Sequence, residues 1–319
     1  MDRKNGMTAG NIIKSYGTIL AGIVIILIFS ILRPHAFFTL TNLINVTRQI
    51  SLLVVIAIGA TLVMSVDEFD LSVGTMASLG GIAAAKLAVA GCPAVLCFAA
   101  AIALGFVIGA LNGWIVTKFG VLSFITTLGM STALSGVVFW LSGGATIFQN
   151  IPAGFTYLGS HAFARIPLLT WVMILLLLLF WFVMRHTTFG RRLYAIGGNV
   201  QASRISGINV PVNKNMAFAL CGALAALMGV MLASRLGSAH PTAGDGYFMN
   251  AYAAVFLGRT VSREGIPNIG GTFVGAAILG ILANGLTIMQ VPSYLQDILT
   301  GFIIILAVIV QKVTSGEKE

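Results

Sequence analysis

Apolar positions gather into long blocks along this chain, separated by short polar stretches. The blocks fall at about 16–32, 50–66, 71–90, 93–117, 121–142, 166–184, 215–235, 268–289 and 293–311. About 20 helical residues cross a hydrocarbon core of ~30 Å, so each block predicts a spanning helix. Unbroken runs such as Ile174 to Phe180 exclude a transmembrane β-barrel, whose strands alternate. Segment 40–49 alternates apolar and polar residues at helical spacing and predicts an interfacial stretch before the second span. A tenth segment, 245–258, is ambiguous. From Tyr247 to Gly258 a helix rises only ~18 Å, so it is either a re-entrant half-helix or a span extended by its neighbours.

Composition agrees with a membrane solvent. Of 319 residues, 58% are apolar and 8% charged, which excludes an ordinary soluble domain. Ten spans consume roughly 200 residues and leave no room for a water-soluble ATPase domain, so residues 1–319 read as a single membrane domain. The net charge of +9 sits in short loops between apolar runs, which indicates orientation in a bilayer and not nucleic-acid binding.

Charge also settles the tenth segment. With ten crossings and an inside N-terminus, the inner loops hold 13 basic residues: Arg3, Lys4, Lys14, Lys118, Arg185, Arg191, Arg192, Arg204, Lys214, Arg259, Arg263, Lys312 and Lys318. Five remain outside: Arg33, Arg48, Lys86, Arg165 and Arg235. A segment 245–258 that merely dips would make the split 9 to 9. The positive-inside rule therefore predicts an all-α, polytopic membrane helix bundle of about ten transmembrane helices with both termini cytoplasmic. The basic N-terminus is followed by Tyr16–Leu32 without a small-x-small exit, so an uncleaved first span is expected. Small-residue ridges at Gly105, Gly109 and Gly113, at Gly271 and Gly275, and at Ala77, Gly81 and Ala85 predict close helix packing. Cys92, Cys97 and Cys221 have no metal-ligand spacing and read as small buried hydrophobes.

Polar residues inside apolar runs must pair or line a wet cavity. Asn112, Thr126, Thr127, Asn250 and Asn284 are such residues, with Gln49 and Ser65 near span ends. Asn112, Thr126, Asn250 and Asn284 are the candidates for a substrate path. No buried lysine, arginine ladder or intramembrane carboxylate pair is predicted, which speaks against ion-coupled transport. Asp67, Glu68 and Asp70 precede Leu71-Ser72-Val73-Gly74, where Asp70 or Ser72 caps the third span and the rest is solvated, or the cluster meets a partner. Four single histidines and the absence of HExxH, GxSxG and P-loop motifs argue against an enzyme, and no cofactor or metal is expected in this chain.

The loop at about 185–214 carries five basic residues and no acidic one. Its tail is helix-like, with Asn199 as N-cap, Ala202, Ile205 and Ile208 at helical spacing and Gly207 near a C-cap. An ordered helix exceeds what a topology anchor requires and suits docking to a cytoplasmic partner. Residues 187–208 resemble the T-x-x-G-R-x-x-Y-A-x-G-G-N-x-x-A-x-x-x-S-G-I signature of the ribose-type permeases of bacterial ABC sugar importers. Asp70-Leu71-Ser72-Val73-Gly74, Pro241-Thr242-Ala243-Gly244-Asp245-Gly246-Tyr247 and Ile269-Gly270-Gly271-Thr272-Phe273-Val274-Gly275-Ala276 are similar to further family segments, in the family's order. Two stretches depart from it: Val66-Asp67-Glu68-Phe69, and Arg259-Thr260-Val261-Ser262-Arg263-Glu264.

The resemblance implies a multi-pass permease of the bacterial inner (plasma) membrane, paired with a second copy or a paralogue. It implies a cytoplasmic ABC ATPase subunit, which holds ATP and Mg, and an extracytoplasmic binding protein that delivers a monosaccharide. Coupling to the ATPase would then fall to Gly190, Arg191, Gly197, Gly198, Asn199, Ala202, Ser206 and Gly207. Gly197 and Gly198 are expected to permit a turn with unusual backbone angles. The polytopic pattern alone also fits a self-sufficient secondary transporter or channel, or a structural scaffold.

Overall fold

The structure, a computed structural model, describes residues 9–261 and 265–315. Arg3, Lys4 and Lys318 among the counted charges, and the variant residues Ser262, Arg263 and Glu264, lie outside the described residues. The chain is helical nearly throughout. In order come α1 (Ala9–Leu32), α2 (Pro34–Phe37), α3 (Leu40–Met64), α4 (Val73–Val89), α5 (Ala94–Phe119), α6 (Ser123–Ser142) and α7 (Ala153–Ser160). A small hairpin, β1 (Ala162–Phe163) and β2 (Ile166–Pro167), leads into α8 (Leu168–His186), α9 (Thr188–Gly198) and α10 (Val200–Ile205). The chain continues through α11 (Val210–Leu236), α12 (Asp245–Val261), α13 (Ile269–Ile288) and α14 (Ser293–Ser315).

Among the described residues six helices are long and apolar enough to cross a membrane: α3, α5, α6, α8, α11 and α13. Two of them form the centre. The most apolar stretch of α3 is 83% buried and that of α11 78%, against 17% for α6. The predicted small-residue ridges are where backbones touch. A Cβ added at Gly105, Gly109 or Gly113 of α5 would run into the α11 backbone at Gly222, Phe218 or Asn215. Gly271 and Gly275 of α13 meet Gly258 and Ala254 of α12 in the same way. Lipid supplies no hydrophobic drive between helices, so such close approach is what binds the bundle.

Three sequence expectations change. Segment 40–49 is not a separate stretch but the first part of α3, one continuous helix. Thr39 caps it by accepting from Asn42 N–H at 3.2 Å, and Asn42 is buried, donating to Phe37 O at 2.8 Å. The third block is only the 17-residue α4, and the tenth is the 17-residue α12. Asp70 is not solvated but fully buried.

Both short helices follow a non-helical link of equal length, residues 65–72 and 237–244. Their N-termini meet inside the bundle: a Cβ at Gly74 would lie 3.0 Å from Gly244 O, and Gly244 N–H donates to Ser78 Oγ at 2.9 Å. From that meeting point they run in opposite directions. α12 leads to α13, whose first turn bonds the end of α3 through Thr272 and Thr61 at 2.8 Å. α4 leads instead to α5, which returns to the start of α11 at Gly113 and Asn215. The series α3, link, α4, α5, α6 is thus repeated upside down by α11, link, α12, α13, α14. Inverted halves joined at broken helices are a recurrent plan of membrane transporters.

Candidate functional site: a capped helical module joined to a broken-helix junction

The module begins where α8 ends. Thr187 Oγ1 caps α9 by accepting from Gly190 N–H at 3.4 Å. A side chain at Gly190 would collide with the backbone of Met184, so the corner between α8 and α9 can be this tight only with glycine. Leu193 and Ile196 are fully buried and seat α9 on the bundle, while Arg191 and Arg192 face outward. Asn199 caps α10 as the sequence predicts, with Oδ1 accepting from Ala202 N–H at 2.8 Å. Gly207 closes α10 at φ 78°, in the left-handed region that glycine occupies without penalty.

The expected turn at Gly197 and Gly198 is absent, since both residues end α9 in helical conformation. Gly197 is there for proximity: a Cβ would overlap the carbonyl oxygen of Ser65, the first residue of the 65–72 link. Gly198 has nothing within 4 Å. Two of the periodic apolar positions of α10 face outward. Ser203 is its buried residue, whereas Ala202 is exposed and Ile205 is 83% exposed. With Arg191, Arg192, Arg204, Ser206 and Gly207 they form an outward surface that is apolar at its tip and basic around it.

Behind this surface the 65–72 link carries contact into the bundle. Glu68 pairs with Lys214 at the start of α11. The next four backbone N–H groups are each satisfied by a side chain. Phe69 N–H donates to Ser123 Oγ of α6 at 3.2 Å, and Asp70 N–H to Tyr252 Oη of α12 at 2.7 Å. Leu71 N–H donates to Thr127 Oγ1 of α6 at 2.9 Å, and Ser72 N–H to Asp70 Oδ1 at 2.9 Å. Tyr252 returns its own hydroxyl proton to Asp70 O at 3.1 Å. Unwound backbone at membrane depth requires such partners. Helices α9, α6 and α12 are therefore joined through eight residues, a tie whose signs in the sequence were the acidic cluster and the polar residues Ser65, Asn112 and Thr127.

The four candidate path residues fall in different places. Asn112 of α5 belongs to the junction, donating to Ser72 Oγ at 3.0 Å. Thr126 of α6 sits beside Thr127, with its own hydroxyl buried and unpartnered. Asn284 of α13 donates to Asn42 Oδ1 of α3 at 3.0 Å. Asn250 of α12 lines a cavity of about 310 Å³ between α3, α11, α12, α13 and α14, with Gln49, Arg235, Tyr247, Gln296 and Asp297 among its walls. Sequence reasoning passed over Arg235, Gln296 and Asp297, which stand at helix ends and looked like ordinary interfacial polar residues.

Comparison with known proteins fits this construction. The family described as branched-chain amino acid transport system / permease component matches residues 42–308. The ribose import permease protein RbsC of Escherichia coli (strain K12) is 42% identical over 296 residues, covering 92% of this chain and 92% of that protein. Its namesake in Bacillus subtilis (strain 168) is 37% identical over 306 residues, covering 96% and 95%. The D-allose transport system permease protein AlsC of Escherichia coli (strain K12) is 33% identical over 305 residues, covering 94% and 92%. No solved structure matches the chain. With its family segments in order and its helices arranged as an inverted pair, this chain belongs to the permease-component family of membrane importers.

Proposed function

We infer that the chain is the membrane permease subunit of an ATP-driven sugar importer. Its cargo would be an aldose of the kind named for its relatives, ribose, D-allose or xylose. In this reading two permease subunits form the channel, a cytoplasmic ABC ATPase binds the α9–α10 surface, and an extracytoplasmic binding protein delivers the sugar. Ten crossings result when each link is counted with the short helix it precedes, since 65–89 and 237–261 are both long enough to cross. The excess of basic residues on the α9 side favours cytoplasmic termini.

The observation that carries the reading is the α9–α10 surface. A large apolar side chain, Ile205, is held out on a capped helix among arginines, and that helix stands on a seat connected to the bundle interior. Closure of a bound ATPase would press on α9. The push would pass through Gly197 to Ser65 and along the link to α6 and α12, changing which side of the bundle is open. Affinity for sugar can reside largely in the delivering protein.

The test is co-purification of tagged protein from gently solubilised bacterial membranes. A P-loop ATPase is expected with the parent protein, and Ile205→Asp should reduce its recovery at least tenfold while insertion is unchanged. Recovery of the chain alone, with solute uptake into vesicles that lack ATP, would instead establish a self-sufficient transporter.

A further inference from the structure

We propose that the cavity beside Asn250 is a monosaccharide-binding site built by a single permease chain, separate from any channel shared between two chains. The proposal rests on the importer reading for its cargo class. Its volume of about 310 Å³ is at the small end of small-molecule sites, which begin near ~300 Å³.

The chemistry of the walls selects a ligand. Arg235, at the end of α11, and Asp297, in the first turns of α14, line the same space yet form no ion pair. Among the described residues the ion pair is Glu68 with Lys214, on the far side of the bundle. Opposite charges that share a cavity without closing on each other leave a gap for a molecule that accepts from one and donates to the other. A hydroxyl does both.

The amides narrow the choice further. Asn250 commits its Nδ2 to Gly246 O at 2.9 Å, and Gln296 its Nε2 to Val291 O at 2.8 Å. Each turns an unclaimed carbonyl oxygen to its surroundings. Gln49 and Tyr247 also line the cavity, the one bringing an amide and the other an aromatic ring. The site thus offers several acceptors, donors on Arg235, Gln49 and Tyr247, and no net charge, an arrangement matched by vicinal hydroxyls on a neutral ring. A zwitterionic amino acid could span Arg235 and Asp297 and rest an apolar side chain on Leu53, Leu279, Ala283 and Leu286, but its single ammonium, held by Asp297, serves the Asn250 and Gln296 oxygens less well than a ring of hydroxyls does. Asp297 is itself exposed, which keeps binding weak enough for release.

The test uses the full-length permease with its ATPase and binding protein in proteoliposomes, carrying Thr287→Cys in the cavity wall. The rate of maleimide labelling at that thiol, corrected for labelling of the parent, is measured against D-ribose, D-xylose, D-allose and L-leucine. Saturable protection by at least one aldose and none by L-leucine is expected. Asp297→Asn or Arg235→Gln should raise the protecting concentration at least tenfold. Gln49→Ala gives a milder shift and serves if either charge variant fails to insert. Protection by L-leucine alone, or by no sugar, would overturn the site. The labelling reads out independently of transport: protection without any ATP-driven uptake would leave the site standing and defeat the importer reading.

Discussion

Gly197 and Gly198 are neighbours in one helix, yet the structure gives them opposite tolerance to a methyl group. A Cβ at position 197 would overlap Ser65 O and lie 3.1 Å from its carbonyl carbon, whereas at 198 it meets nothing within 4 Å. The obstruction is backbone, so no side chain can rotate away; either α9 lifts or the link shifts. Overpacking of this kind costs about 1–3 kcal/mol, equivalent to roughly 5- to 150-fold in an equilibrium between seated and unseated α9. Alanine itself favours the helix over glycine by about 1 kcal/mol, which works in favour of both variants and isolates the contact. The assay is sugar uptake per ATP hydrolysed in proteoliposomes containing the complete importer. Gly197→Ala should keep ATPase binding, since the outward surface is untouched, and lose uptake per ATP by at least fivefold. Gly198→Ala should match the parent. Equal behaviour of the two would refute transmission through the α9 seat.

Asn199→Ala removes the cap of α10 and should cost about 0.5–2 kcal/mol of helix stability, read as weaker ATPase retention in a salt-controlled pull-down. Tyr252→Phe leaves the buried Asp70 N–H without its 2.7 Å partner, a loss of about 1–3 kcal/mol. The measurement is the thermal midpoint of the detergent-solubilised protein, which should fall, and an unchanged midpoint would mean that this hydroxyl does not hold the link.

Much of this architecture was legible because lipid imposes length and polarity rules that a sequence displays directly. Block 166–184 became α8 at Leu168–His186, and Asn199 and Gly207 bound α10 where their side-chain and backbone preferences placed them. The links were harder to see because hydropathy counts apolar residues and says nothing of backbone continuity. Asp70 looked like a cap in a wet acidic turn, and partners far along the chain, Ser123 and Thr127 of α6 and Tyr252 182 positions away, make a dry one possible. α9 was hidden by Gly197-Gly198, a pair that reads as a turn until the crowding at Ser65 explains the first of them. Ala202 and Ile205 fit helical periodicity, but periodicity identifies a stripe without saying whether it faces the bundle or a partner. Arg235 and Asp297 belong to different helix ends, and nothing local announces that they share a cavity.

Two kinds of contact divide the molecule, and they differ in what they permit. Where α5 crosses α11, glycines bring backbone onto backbone, and displacement by even a fraction of an ångström opens a gap or a clash. Where the 65–72 link crosses α6 and α12, the backbone is held by Ser123, Thr127 and Tyr252 through hydroxyls. A hydroxyl rotates about its C–O bond and can keep a hydrogen bond while its partner slides, so this contact tolerates motion without exposing an unpaired N–H to lipid. The glycine-packed helices are suited to stay fixed and the hydroxyl-held link to move. That is the division a permease needs if a push at α9 is to change access at the bundle interior without loosening the bundle itself.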